Sequence, residues 1–356
     1  MNTLSLFDGM SGGQQTLNKL GIKIDKYFAS EIDKYAIQIS QKNYPDTIQL
    51  GSVTDVNTNK LPKIDLLIGG SPCQSFSFAG KRNGMTVKGG EEILTLDKYL
   101  QCKAEGFEFE GQSYLFWEYV RILKEVKPKY FFLENVMMSE KWEKAITKVI
   151  GVKPICINSA LVSAQNRKRL YWTNIGLEID NTDLFGGMKS IIPQPQDKGI
   201  LLKDILEKNV DEKYNLSKKM LSCFDNHKKQ QQLKGNCFGF EPSNGNKKAN
   251  SLTTRNGSRP DDNYIIEGCD YRKDEGFRIR AGGKTGTLAA RARTDESCGQ
   301  LVKIETNIRK LTPIECERLQ GFPDDYTKGV SNSQRYKMLG NGWQVDTIKH
   351  IFKYLN

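Results

Sequence analysis

The chain has 356 residues, with 53 Lys and Arg against 42 Asp and Glu, a formal charge of +11 and 38% hydrophobic residues. That length predicts one large domain and a smaller one, and the composition is that of an ordinary soluble globular protein. No apolar run approaches the ~20 residues that cross a bilayer, and no basic segment leads into an apolar stretch at Met1, so neither a membrane span nor a signal peptide is expected.

From residue 1 to about 178, short apolar strands alternate with helix-period segments. Residues 3–7, 27–30, 65–68, 130–133, 155–158 and 170–175 are brief and rich in β-branched and aromatic residues, and they predict strands. Residues 32–43, 115–124 and 141–149 carry helical apolar spacing. Such alternation predicts βαβ units, that is, an α/β fold with a doubly wound, mainly parallel sheet. Residues 179–300 differ in texture: glycine and polar residues dominate between Gly235 and Gly299, predicting a smaller, irregular β-rich domain. Within it Ser251-Leu252-Thr253-Thr254-Arg255 is echoed by Gly286-Thr287-Leu288-Ala289-Ala290-Arg291. From about 301 to 356 regularity returns. Thr312 is a natural N-cap with Pro313 at the first helical position, and residues 345–354 predict a last helix.

The first strand runs into Phe7-Asp8-Gly9-Met10-Ser11-Gly12-Gly13, where small residues let the backbone approach a ligand. Glu31 follows Gly9 by 22 residues, the spacing at which a carboxylate accepts hydrogen bonds from ribose hydroxyls. A dinucleotide site or a plain tight turn satisfies the same pattern. Gly69-Gly70-Ser71-Pro72-Cys73-Gln74-Ser75-Phe76-Ser77 follows the strand at 65–68. That places Cys73 at the carboxyl edge of the sheet, where open α/β folds bind ligands, with Gln74 and Ser77 as polar neighbours. The other seven cysteines read as inert thiols, reduced in a cytoplasm, since no two form a Cys-x-x-Cys clip. Glu134-Asn135-Val136 continues the strand at 130–133, and an acid ending an apolar strand is costly unless paired or functional. In Gln165-Asn166-Arg167-Lys168-Arg169, Arg167 and Arg169 point the same way in extended chain. Only two histidines are present, so catalysis must run on Cys, carboxylates, Arg and a cofactor. The basic excess favours a polyanionic partner.

Taken in order, Phe7-Asp8-Gly9, Glu31, Pro72-Cys73-Gln74, Glu134-Asn135-Val136, Gln165-x-Arg167-x-Arg169, residues 309–315 with Gln320-Gly321-Phe322-Pro323, and Gly340-Asn341-Gly342 resemble the DNA cytosine-5 methyltransferases. The resemblance covers both ends of the chain and leaves out about 180–300, where that family's target-recognition domain varies. It implies a Rossmann-like methyltransferase fold with S-adenosylmethionine as methyl donor, contacted by Phe7, Gly9, Glu31, Ile32, Leu115 and Asn341. It implies Cys73 as nucleophile, Glu134 on the base N3, and Arg167 and Arg169 as anion contacts. The chemistry explains the thiol: carbon 5 of cytosine is a poor nucleophile until a thiolate adds to carbon 6.

Double-stranded DNA is then the expected partner, with Gln74, Ser77, Arg255 and Arg291 contacting it and the target cytosine flipped from the stack. A cognate restriction enzyme is a candidate companion, and a monomer in a bacterial or phage-encoded, nucleoid-associated, cytoplasmic setting is expected. The domains expected are 1–178 for cofactor and catalysis, 179–300 for target recognition, and 301–356 returning to the first. Ser11, Ser52 and Trp343 depart from the family's usual Gly, Asp and small residue, and the segment 81–112 is longer than usual and acidic. Two other readings stay open here. An NAD-type oxidoreductase accounts for the glycine turn and Glu31 alone, and a DNA-binding regulator without catalysis is argued against by Cys73 and Glu134.

Overall fold

The computed structural model describes residues 1–72, 85–89, 91–179, 188–236, 239–272, 276–280 and 307–355. They divide into two compact units, one of 1–161, 167–196 and 342–356, the other of 162–166 and 197–341.

The first unit is built on a seven-stranded sheet. Its strands are β1 (Asn2–Leu6), β2 (Lys26–Ser30), β3 (Ile48–Gln49), β4 (Leu66–Gly69), β7 (Tyr130–Val136), β8 (Ile155–Asn158) and β9 (Lys168–Thr173), while β5 (Thr86–Val87) and β6 (Phe109–Glu110) form a separate antiparallel pair. The order is β3-β2-β1-β4-β7-β9-β8, parallel from β3 to β7, with β9 antiparallel to both neighbours. Helices α1 (Gly12–Lys19), α2 (Lys34–Asn43), α3 (Leu96–Ala104), α4 (Phe116–Val126) and α5 (Glu140–Ile150) follow the early strands. The expected doubly wound sheet is present.

Alternation of side chains across the strands supplies two apolar faces. Leu67 and Leu133 face Phe116, Trp117 and Val120 of α4 and Ile146 of α5. Leu66, Ile68 and Phe132 face Leu17 of α1 and Ile348, Ile351 and Phe352 of the final helix. A parallel sheet needs both faces covered, and these residues cover them. Strand β7 extends three residues beyond the apolar run that predicted it, because Glu134, Asn135 and Val136 pair with Tyr171, Leu170 and Arg169 of β9. Glu134 and Arg169 therefore lie inside strands rather than after or before them. A short antiparallel pair, β10 (Leu177–Ile179) with β11 (Met188–Ser190), lies beyond β9.

The second unit holds α6 (Lys218–Leu233), a three-stranded antiparallel sheet β13-β12-β14 of Tyr264–Arg272 (β12), Gly276–Arg280 (β13) and Asn307–Lys310 (β14), then α7 (Pro313–Gln320) and α8 (Asn332–Asn341). Helix α6 carries one buried residue, Phe224, which meets Phe240 and Tyr264 of the small core. That thin apolar stripe explains why no helical period marks α6 in the sequence. Helix α7 starts as its sequence predicts: Thr312 Oγ1 accepts from the Glu315 amide at 3.1 Å, and the Glu315 carboxylate accepts from the Thr312 amide at 2.8 Å. Glu315 also forms a bidentate, fully buried pair with Arg309, both contacts at 2.8 Å. The motif at 309–315 is thus a structural lock. The last helix, α9 (Val345–Phe352), belongs to the first unit and packs on α1.

Candidate active site

Strand order reverses beside β1: β2 lies on one side of it and β4 on the other. Such a switch point opens a crevice outside the carboxyl ends of the two strands. From β1 the chain enters a turn in which Phe7, Gly9 and Ser11 all take positive φ, at 58°, 59° and 63°. Glu31, one residue past β2, closes on this turn. Its Oε2 accepts from the Gly9 amide at 2.8 Å, and its Oε1 accepts from the amides of Ile32 and Asp33 at 2.7 and 2.9 Å. A carboxylate offers about four acceptor sites, so room remains for a hydroxyl donor. Ile32, beside it, is 69% exposed, an apolar face at the mouth of the crevice. Leu115 ends a short turn, Ser113–Leu115, that leads into α4 and packs part-buried on the core. Phe7, Gly9, Glu31, Ile32 and Leu115 all belong to this unit; Asn341, the last residue of α8, closes the second unit.

Asp8 was not among the sequence candidates. Its carboxylate accepts from the hydroxyls of Tyr27 at 2.8 Å and Ser11 at 2.6 Å, and Ser11 also meets Ser40 at 2.6 Å. Burial pushes the Asp8 carboxyl up to about 6, against the pull of these hydrogen bonds.

The stem that leads toward the nucleophile leaves β4 through Gly69 and Gly70. A β-carbon on Gly70 would lie 2.7 Å from the Trp343 indole nitrogen and 3.1 Å from Glu134 Oε2, so only glycine fits there. Asn135 Nδ2 donates to Ser71 Oγ at 3.0 Å, tying β7 to the same stem. Cys73, Gln74 and Ser77 lie outside the described residues. Glu134 Oε1 pairs with Arg169 Nε at 3.0 Å, and both side chains are largely enclosed. The strand register explains the pair, because Arg169 faces Val136 and is the diagonal neighbour of Glu134 on one side of the sheet. Arg167 is 4% exposed and donates to the Gly342 carbonyl at 2.9 Å, so its guanidinium holds the segment that carries Trp343. Trp343 in turn packs edge-on against Phe132 at 5.4 Å. Its site beside Gly70 and Glu134 is invisible to local pattern because 273 positions of sequence separate Gly70 from Trp343.

In the second unit Arg255 is exposed on a turn that is strapped from several sides. Asp262 accepts from the amides of Ser258 and Arg259 at 3.0 and 2.9 Å and from Thr253 Oγ1 at 2.9 Å. The Leu252 amide donates to Gln165 Oε1 at 3.0 Å. Arg291, in the echoing segment, lies outside the described residues. Among the described residues no helix is long and apolar enough to cross a membrane.

The model of the C-5 cytosine-specific DNA methylase family matches residues 1–99 and 100–356. The type II methyltransferase M.HpaII of Haemophilus parainfluenzae is 31% identical over 366 residues, covering 97% of this chain and 86% of its own. The type II methyltransferase M1.ScrFI of Lactococcus lactis subsp. cremoris is 29% identical over 359 residues, covering 98% and 76%. The crystal structure of a DNMT2 mutant of Spodoptera frugiperda has a TM-score of 0.64 at 19% identity and covers 100% of this chain and 99% of that one, a likeness of fold.

Proposed function

The chain belongs to the C-5 cytosine-specific DNA methylase family, and from that premise we propose that it methylates cytosine in a specific double-stranded DNA sequence through a covalent bond from Cys73 to carbon 6. The observation that carries this reading is the position of the Glu134 carboxylate. It is paired with Arg169 and lies against Gly70, three residues before Cys73 on the adjacent strand's exit.

The residues of the crevice fit S-adenosylmethionine. Glu31 has a free acceptor site for a ribose hydroxyl, Ile32 offers an exposed apolar face for adenine, and the Phe7 to Gly9 turn and Leu115 complete the walls. When bound, the sulfonium supplies the methyl group. The chain does the rest. The Cys73 thiolate adds to carbon 6 of the flipped base, and the displaced electron pair makes carbon 5 nucleophilic. Glu134 holds the proton at N3 that this enamine requires, and Arg169 orients Glu134. After methylation carbon 5 gives up its proton to a water molecule, the electron pair of that bond re-forms the C5–C6 double bond as the carbon–sulfur bond breaks to release the thiolate, and the N3 proton returns to Glu134. Gln74, Ser77, Arg255 and Arg291 are the proposed DNA contacts, and protection of DNA beside a cognate restriction enzyme is the proposed setting.

A DNA duplex with 5-fluorocytosine at the target tests the mechanism, because fluorine cannot leave as a cation. We expect an adduct that requires S-adenosylmethionine, survives denaturing electrophoresis and maps to the Cys73 peptide. Cys73→Ala should form none; methylation at the wild-type rate in Cys73→Ala removes Cys73 from the mechanism.

A further inference from the structure

The described residues ahead of α4, 85–89 and 91–115, are not a plain loop. Met85, Val87, Ile93, Leu96, Tyr99 and Cys102 are buried in the main core of the first unit. Three of the segment's acidic residues form ion pairs: Glu91 with Lys98 at 2.9 Å, Glu108 with Lys88 at 2.6 Å, and Glu92 with Lys141 of α5. The centre of the arrangement is Glu118 of α4, fully buried. Its Oε1 accepts from Tyr99 Oη and Lys103 Nζ of α3, both at 2.6 Å, and its Oε2 accepts from Arg121 Nε at 2.7 Å.

Two connections run outward from this carboxylate. Arg121 Nη2 reaches the carbonyls of Val53 and Val56, each at 3.4 Å, and so holds the turn Val53–Asp55 that Ser52 caps. Ser52 stands where the resemblance to the cytosine-5 methyltransferases leads one to expect an aspartate. On the other side, the Tyr99 ring lies 5.2 Å from Phe109, and Phe109 stacks on Tyr114 at 4.3 Å. Tyr114 is the neighbour of Leu115. One buried carboxylate is therefore joined both to the Ser52 turn and to the ring beside Leu115, positions 63 apart in sequence that the proposed function places at the methyl donor. A charge this enclosed is costly unless every acceptor is used, and its three donors come from α3 and α4 together.

We propose that Glu118 is a positioning residue for the methyl donor, and that α3, supplied by the long segment after the nucleophile, is part of the cofactor site by way of Tyr99 and Lys103. The inference rests on S-adenosylmethionine being the methyl donor. It assigns to this segment a role in cofactor affinity and none in the choice of DNA sequence.

Tyr99→Phe removes one hydrogen bond and keeps the stack, Tyr99→Leu removes both, and Glu118→Gln removes the central charge. Calorimetric titration with S-adenosylmethionine should give a dissociation constant raised about threefold in Tyr99→Phe and about tenfold or more in the other two, on the scale of misplacing a binding wall. The KM for S-adenosylmethionine should rise in parallel, with kcat at saturating donor and the methylated sequence unchanged. If Glu118→Gln does not fold, the two Tyr99 variants carry the test. Variants that melt at lower temperature yet bind the donor as wild type does overturn the inference and leave a structural cluster. A wild-type chain that binds no S-adenosylmethionine overturns the functional reading itself.

Discussion

Ser11 adopts a backbone conformation that costs an L-residue roughly 1 kcal/mol or more. A glycine there would be free of that cost. Here the hydroxyl bonds both Asp8 and Ser40, so the side chain offsets the strain and braces the turn. Asp8 is the titratable member of this group. Its folded-state value near 6 lies above the ordinary 3.8, so the folded chain holds the proton more tightly than the unfolded chain does. Its stability contribution is thus greatest below about 3.8, declines as pH rises toward 6, and is constant above that. Asp8→Asn cannot titrate. The stability of wild type relative to this variant should therefore fall between pH 4 and 6, by at most about 1.4 kcal/mol per pH unit. Urea unfolding from pH 4.5 to 7.5 measures it, and a constant difference across that window would mean the carboxyl is not desolvated.

Among the elements of the second unit, the stretch from Leu252 to Asp262 is held by side chains rather than by a helix or strand. The motif Ser-Leu-Thr-Thr-Arg has strand-like residues, yet the chain there forms successive turns because Asp262 captures three donors and Gln165 a fourth. Asp262 is 6% exposed, while Thr254, Arg255, Ser258 and Arg259 face outward. A braced loop with outward arginines suits the reading of base edges, where each good contact is worth about 1–3 kcal/mol. Arg255→Ala should lower methylation at the preferred site about 10- to 100-fold, and Asp262→Ala should broaden the set of sites used, both with donor affinity intact. Bisulfite sequencing of a randomised library reports both. An unchanged site profile in the two variants would take this loop out of sequence recognition.

For the whole molecule, the excess of 53 basic over 42 acidic residues predicts binding governed by phosphate contacts. The logarithm of the affinity for a short duplex should fall linearly with the logarithm of salt concentration, at about 0.9 per phosphate neutralised. A slope magnitude of about 4 or more is expected from titrations between 50 and 300 mM salt, roughly the range in which such contacts are measured. A flat response would remove DNA as the principal partner. Both units bury ion pairs, Glu118 with Arg121 in the first and Arg309 with Glu315 in the second, and the second also leaves Arg255 and Arg259 outward.

The sheet, the family and the turn at Glu31 were legible in the residues, because each depends on local features: strand-length apolar runs, glycine-bearing turns and a fixed spacing from Gly9. The Thr312 cap was equally legible, since a capping box spans four residues. The partners of the charged groups came instead from the packing of the fold. Arg167 and Arg169 look alike in sequence, yet one donates to the Gly342 backbone and the other pairs with Glu134. Trp343 beside Gly70 and Glu118 beneath Tyr99 and Lys103 are likewise contacts of long range. A buried charge is acceptable only where its donors converge, and their convergence is set by how strands and helices pack, which no periodicity along the chain records.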